Sequence, residues 1–351
     1  YKTIRNNGIE NPAISWEDIH TYNIGLELEV MNGKLGMEFD YFYRLREGIL
    51  GTRTSVLPNT FGASLPQENI NSADNRGVEL VLNYRNNAGG LKYSVSSNFS
   101  WTRAKYVEYA EQEYDDPDEE RLYKRTGQWT NRTFGYKTNG FFQTQSEIDE
   151  SPIDYDRRGN TTLQPGMIKY VDVNDDQVID WRDQVEIGRG GTPEIMYGLN
   201  ISAQYKGFDL SMLWQGASHF DIEFSQNMRT LTINSVWNSY KFLYDGRWTP
   251  ENPDADFPRT TNGHHSYHNV RSDLWLKPGD YVRLKNFSVG YSIPASLTQR
   301  INIDKVRVYV AGYNALTLSR LGKFPFDPEG IGTSWTYPLY KSFSLGLNIS
   351  L

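Results

Sequence analysis

The feature that most constrains this chain is a two-residue alternation of apolar and polar side chains, sustained over long segments and repeated along the sequence. From Tyr22 to Val30, the residues Tyr22, Ile24, Leu26, Leu28 and Val30 alternate with Asn23, Gly25, Glu27 and Glu29. Successive side chains of an extended strand point to opposite faces, so this spacing makes one face apolar and the other charged. After Asn32-Gly33, a pair that favours a two-residue hairpin turn, the pattern resumes with Leu35, Met37, Phe39, Tyr41 and Tyr43 against Gly36, Glu38, Asp40 and Arg44.

The same alternation recurs at Val78 to Tyr84, and again from Leu91 to Trp101 beyond a turn at Asn86 to Gly90. It returns at Tyr197 to Tyr205 and, past Lys206-Gly207, at Phe208 to Trp214. Tyr281 to Ile293, Val306 to Leu318 and Leu339 to Leu351 complete nine expected strands. At roughly 10 to 15 residues they match tilted membrane-crossing strands and exceed the ~5 to 6 residues of ordinary soluble sheets.

Turn lengths alternate short and long. The long connections fall at about 51–74, 106–193, 217–279 and 319–338, with an intermediate one from Pro294 to Asp304. Short turns on one side and long loops on the other are the asymmetry of bacterial outer-membrane barrels, with the long loops extracellular. Parity then closes if the insert at 106–193 adds either no crossings or two. The expected fold class is all-β: residues 1–351 form part of a transmembrane antiparallel β-barrel, with a long extracellular insert at about 106–193.

Composition agrees. Aromatic residues make up 14% of the chain, there are 30 glycines, and only 38% of residues are apolar, as expected when half of each strand faces lipid and half faces water. No run approaches the ~18 to 20 apolar residues of a membrane-spanning helix. There is no cysteine, which removes disulfides, thiolate metal sites and cysteine nucleophiles. A net charge of -7 disfavours a nucleic-acid partner bound through a phosphate-tracking basic surface. The acidic run Asp115, Asp116, Asp118, Glu119 and Glu120 reads as a solvated loop.

Several segments resemble one family. The chain reads YVRLKNFSVGYSIP from Tyr281, RVYVAGYNALTLSR from Arg307, FDPEG from Phe326 and YPLYKSFSLGLNISL to the end. Upstream stand WEDIHTYNIGLELEV from Trp16, GMIKYVDVNDD from Gly166, DGRWTPENP from Asp245 and FPR from Phe257. Together these resemble the C-terminal region of the SusC/RagA family, the TonB-dependent outer-membrane transporters of Bacteroidota. The resemblance implies the final strands of a 22-stranded, plugged barrel that imports oligosaccharides or peptides. It further implies a SusD-type surface lipoprotein as partner, and energy from TonB through a plug and TonB box that this sequence does not contain. Leu351 stands where many outer-membrane proteins end in Phe.

The sharpest local motif is DVNDDQVIDWRD. Taking Asp172 as position one, oxygen ligands fall at Asp172, Asn174, Asp176, Asp180 and Asp183, with the Val178 carbonyl at position seven, the pattern of a twelve-residue Ca²⁺ loop. Gln177 occupies the position where that loop wants glycine, and Asp183 is shorter than the usual bidentate Glu. The expected role of the ion is structural. The alternative is an Asp/Asn-rich turn without a metal.

His264, His265 and His268 read as a solvated loop rather than a transition-metal site. Glu27 with Glu29, and Glu38 with Asp40, read as a polar barrel lining rather than a glycosidase pair. There is no GxSxG, HExxH or phosphate-loop motif, and no enzymatic activity is expected. Trp237, Tyr240, Phe242, Tyr244 and Trp248 are candidate sugar-stacking or loop-core aromatics, with Trp248 assigned a structural role. Tyr41, Tyr43, Trp101 and Trp214 are candidates for anchoring at the membrane interface. The competing function is a surface glycan-binding β module with a structural calcium loop.

Overall fold

The computed structural model describes residues 9–53, 64–224, 229, 240–260, 266–322, 324, 326–330 and 339–350. In chain order its strands are β1 (Asp18–Val30), β2 (Leu35–Gly51), β3 (Glu68–Ala88), β4 (Leu91–Glu108), β5 (Arg132–Gly135), β6 (Thr138–Phe141), β7 (Ile168–Tyr170) and β8 (Val185–Arg189). They continue as β9 (Ile195–Tyr205), β10 (Phe208–Ser218), β11 (Asp221–Glu223), β12 (Leu276–Pro278), β13 (Tyr281–Ser292), β14 (Lys305–Ser319) and β15 (Ser342–Ser350). The nine long ones are the nine the periodicity marks. They divide between two compact units, residues 1–131 with 194–206, and residues 132–193 with 207–351.

In the first unit β1, β2, β3, β4 and β9 pair antiparallel in that order. Directly opposed residues share a face, and the register aligns the apolar positions into continuous rows. One row is Ile24, Tyr41, Val78, Trp101 and Ile195; the next is Leu26, Phe39, Leu80, Phe99 and Tyr197. The opposite face carries Glu27, Glu38, Val81, Asn98 and Gly198, then Glu29, Gly36, Asn83, Ser96 and Asn200. There the side chains bond to one another: the Ser96 hydroxyl donates to Asn83 Oδ1 at 2.6 Å, and Ser94 and Ser202 hydroxyls lie 2.8 Å apart.

Two glycine-rich turns are tighter or looser than their dipeptides suggest. At the second hairpin the strands run on to Ala88 and from Leu91, leaving Gly89-Gly90 with φ of 58° and 87°, a pair of left-handed residues that only glycine takes without strain. At the first, the connection is four residues long, because Met31, Asn32 and Gly33 are all left-handed before Lys34 donates its N–H to the Met31 carbonyl. Lys206 and Gly207 also both take positive φ.

In the second unit β10, β13, β14 and β15 pair antiparallel. Leu210, Val289, Val310 and Leu345 form one row of an apolar face, and Phe208, Tyr291, Val308 and Leu347 the next. These faces are not covered by protein: Ile24 is 72% exposed and Leu345 is 78% exposed. An apolar surface of that continuity requires a non-aqueous cover.

The buried core lies elsewhere, in the long connections of the second unit. Phe142, Ile148, Met167, Ile168, Ile222, Phe224, Leu243 and Trp275 are all essentially inaccessible and pack as one cluster. Three two-stranded ribbons, β5 with β8, β6 with β7, and β11 with β12, fix the backbone around it. The insert after β4 therefore folds without adding a crossing among the described residues.

Candidate functional site

Four arrangements stand out beyond the strand register. The first is the aromatic core of the connections. Trp275 is buried, stacks on Phe257 with ring centroids 6.1 Å apart, and donates its indole N–H to the His268 carbonyl at 3.0 Å. Tyr240 and Phe242 pack on Phe326 at 6.0 and 5.3 Å, and Trp248 is buried with its N–H on Gln143 Oε1 at 3.0 Å. Of the stacking candidates these three are loop core. Tyr244 is exposed, with the Arg247 guanidinium 3.6 Å over its ring. Trp237, His264 and His265 lie outside the described residues. His268 is buried, not solvated, because its backbone carbonyl is tied to the core tryptophan.

The second arrangement joins two family-like segments that are far apart in sequence. Arg283, on β13, is completely buried and extends over the polar face toward Phe326–Gly330. Its Nη2 donates to both Asp327 carboxylate oxygens at 2.7 Å, its Nη1 pairs with Glu329, and its Nε reaches the Thr317 hydroxyl at 3.1 Å. The Tyr281 hydroxyl donates to Glu329 Oε1 at 2.8 Å. A planar guanidinium satisfies two carboxylates at once, a geometry no lysine reproduces. Alternation alone could not reveal this clamp, because its partners are 44 and 46 residues from Arg283.

The third is the Asp-rich loop. Gln177, at the position reserved for glycine, takes φ 66° and donates its N–H to Asp172 Oδ2 at 2.8 Å. The backbone thus makes the sharp turn of a Ca²⁺ loop without the residue that makes it easily. Asp176 Oδ1 accepts from Val178 N–H at 2.9 Å, and Asp180 Oδ1 from Arg182 N–H at 2.7 Å. Asp183 is fully buried and accepts from the Val173 and Asp180 N–H groups at 2.8 and 2.7 Å. Burial, with Asp172 and Asp176 nearby, raises its carboxyl above the usual range. Asp172 Oδ1 is enclosed without a protein partner. Among the described residues no three acidic or histidine side chains converge closely enough to hold a metal ion. The six positions therefore share one loop, but most of the carboxylates are turned toward its own amides.

The fourth is a cavity of about 530 Å³ in the same unit, lined by Tyr136, Tyr155, Tyr170, Tyr267, Asp156, Arg157 and Arg158, among others. The Tyr170 hydroxyl donates to the Tyr267 carbonyl, and that of Tyr267 to the Ile168 carbonyl, both at 2.7 Å, so the cavity presents ring surfaces rather than free hydroxyls. Burial alone would push Asp156 up. The Thr162 hydroxyl and the N–H groups of Thr162, Arg158 and Asn160 outweigh it and hold the carboxyl down at about 2.

The acidic run at 115–120 is not a free loop but the start of a helix, α1 (Pro117–Tyr123), which Asp116 caps by accepting from Asp118 N–H at 2.8 Å. Carboxylates there offset the unpaired amides of the first turn. Tyr41, Tyr43, Trp101 and Trp214 all stand on the apolar face in the strand register, and of these Tyr43 marks its edge.

Strands apolar outside and polar inside, long connections at one end and tight turns at the other, define the wall of a membrane β-barrel; among the described residues no helix is long and apolar enough to cross a membrane. The family model for the TonB dependent receptor-like β-barrel matches residues 2–315, and the chain belongs to that family of outer-membrane proteins. It is 28% identical to TonB-dependent receptor P3 of Formosa agariphila over 97% of its own length and 34% of that protein. It is 24% identical to TonB-dependent receptor SusC of Bacteroides thetaiotaomicron, covering 97% of this chain and 32% of SusC. The chain thus spans about a third of the length of these relatives. Among solved structures, the RagAB peptide transporter aligns with TM-score 0.67 at 21% identity, over 97% of this chain and 36% of the other. The RagAB peptide importer in its open-open state aligns with TM-score 0.68 at 22% identity, over 98% and 36%. The SusC/RagA resemblance in the sequence is therefore upheld, and with it the β-barrel fold.

Proposed function

We propose that this chain is part of the wall and loop face of a transporter that imports oligosaccharides or peptides across the outer membrane. The observation that carries this reading is the pairing of one uncovered apolar face with a hydrogen-bonded polar face along the same strands. The long connections face the cell exterior and the tight turns the periplasm. Substrate is captured at the loop face beneath a SusD-type lipoprotein, and TonB, acting on a plug, releases it inward. RagAB, which shares this fold, is a peptide transporter, which supports the peptide branch of this reading.

The structural calcium ion belongs to this proposal as well. Asp172, Asn174, Asp176, Val178, Asp180 and Asp183 would hold it and stiffen the loop at the extracellular face. The left-handed Gln177 and the unpartnered Asp172 oxygen support it, whereas the engaged Asp183 carboxylate opposes a bidentate ligand at that position.

The test is growth and uptake. A strain lacking the full-length protein should fail on one oligomeric nutrient, a sugar or a peptide, and regain uptake with the gene restored. Purified full-length protein should need detergent to stay folded. A β-rich monomer stable in plain buffer would overturn the transporter reading in favour of a surface glycan-binding module.

A further inference from the structure

The apolar face of the first unit ends abruptly. Moving along the strands toward the long connections, the row Ile24, Tyr41, Val78, Trp101 and Ile195 is followed by Tyr22, Tyr43, Arg76 and Arg103, and then by His20, Leu45, Asp74 and Lys105. The period of two places these residues on the same face as the exposed apolar rows. Three cations therefore stand outside the barrel wall, one and two rows beyond the apolar band, at the height of the headgroups.

They converge on one ring. Trp129 lies with the Arg103 guanidinium 4.2 Å from its centroid, Arg76 at 5.8 Å and the Lys105 ammonium at 5.9 Å, and Arg76 also sits 5.4 Å over Tyr43. Two buried carboxylates pair with the guanidiniums, Asp74 from the same row as Lys105. Asp74, 3% exposed, takes Arg76 at 2.5 Å, and Glu194, 5% exposed, takes Arg103 at 3.1 Å. Both carboxylates are buried while the Arg76 side chain stays 34% exposed. Three positive groups face two sunken negative ones, leaving an outward-facing excess of positive charge on a rigid aromatic platform.

We infer that Arg76, Arg103 and Lys105, mounted on Trp129, form a site for the net-anionic phosphate headgroup of a lipid, one not neutralised by a choline, in the leaflet at the long-connection end. The choice of a lipid follows from continuity: the site is the direct extension of exposed apolar rows, so an amphiphile placed there satisfies both surfaces at once. Guanidiniums bind phosphate oxygens through paired N–H groups, and an ammonium adds a point charge. The Asp74 and Glu194 contacts orient the two guanidiniums in advance, which lowers the ordering cost of binding.

The test is photo-crosslinking on the full-length protein in phosphatidylcholine bilayers carrying a trace of photoactivatable phosphatidic acid or, separately, photoactivatable phosphatidylcholine. With phosphatidic acid, crosslinks should concentrate in the segments around Arg103 and Trp129, well above the phosphatidylcholine level. Lys105→Gln should lower that crosslinking about fivefold, the worth of one cation near a charged headgroup, and Lys105→Arg should restore it. The described structure gives Lys105 no carboxylate partner, so its substitution spares the fold; crosslinking at the opposite, tight-turn end serves as the internal control. Equal labelling by the two lipids, or no change in Lys105→Gln, would overturn the inference. So would loss of the labelling on adding inorganic phosphate, which would mark a site for free anions.

Discussion

Replacing Arg283 with methionine should free the Phe326–Gly330 segment while leaving the strands beneath it intact. Arg283 is fully buried, whereas the Asp327 and Glu329 side chains are 26% and 24% exposed. Removing one member of a buried pair costs about 3 to 5 kcal/mol when the other is stranded without water. Because both carboxylates can rehydrate from their open quarter, the lower end, about 3 kcal/mol, applies here. That corresponds to roughly a hundredfold increase in opening of the segment. Hydrogen exchange of the full-length protein in detergent reads it directly, since the Glu329 N–H is held on Asp327 Oδ1 at 2.9 Å and the Gly330 N–H on the Asp327 carbonyl at 2.9 Å. Those amides should exchange about a hundred times faster in Arg283→Met, with β13 and β14 unchanged. Arg283→Lys should recover only part of the protection, because an ammonium cannot serve both carboxylates and Thr317 in one plane. Unchanged exchange at Glu329 would refute the clamp.

Further outcomes follow from individual contacts. Gly77→Ala places a Cβ 2.4 Å from the Trp101 carbonyl and 2.7 Å from the Phe42 ring, and should cost at least about 2 kcal/mol, seen as a lower folded fraction on unheated gels; Gly36→Ala, whose Cβ approaches nothing nearer than 3.9 Å, is the matched control. Gln177→Gly relieves a left-handed backbone and should stabilise the Asp-rich loop by about 1 kcal/mol, measurable as slower exchange of the Val178 amide and of the Asp183-held Val173 amide. Adding Ca²⁺ should slow exchange across 172–183 further, and Asp172→Asn should abolish the calcium effect; an identical profile with calcium and with chelator would remove the ion from the proposal. The depressed Asp156 carboxyl stabilises the turn at 154–162 fully above the unfolded pKa near 4 and loses that contribution as pH falls toward about 2, so exchange in this turn should rise between pH 4 and 2 in the native protein but not in Asp156→Asn.

The sequence revealed the strands well but not their full length. Alternation marked the third strand from Val78 to Tyr84, whereas it runs from Glu68 to Ala88. The unmarked part, with Asn69, Asn71, Asp74 and Arg76, has risen above the apolar band and carries polar groups on both faces. Pairing continues there through backbone hydrogen bonds, which leave no periodic trace in the sequence. The last strand was marked from Leu339 and begins at Ser342, since apolar neighbours can precede a strand without belonging to it. The loop core was illegible for a different reason: Phe142 comes from one long connection and Phe224, Phe257 and Trp275 from widely spaced points of another, and no local pattern encodes their meeting. The Asp-rich loop was legible as a turn, down to the strained position at Gln177, but ligand spacing could not say which way its carboxylates would turn.

The long strands bury little against protein; their apolar rows are satisfied only by lipid, and their polar rows by one another and by water. The connections of the second unit, by contrast, bury whole aromatic side chains and close with ion pairs to Arg283 and to Glu223, which receives Arg271 at 3.0 Å. Loops that only spanned crossings would need no such core, because loop backbone is ordinarily solvated. A packed loop face instead resists deformation and can hold recognition groups such as Tyr244 or the tyrosine-lined cavity in fixed positions. Selectivity in the proposed transporter is therefore expected to sit on this rigid loop face, with the barrel strands serving as the frame that lipid holds in place.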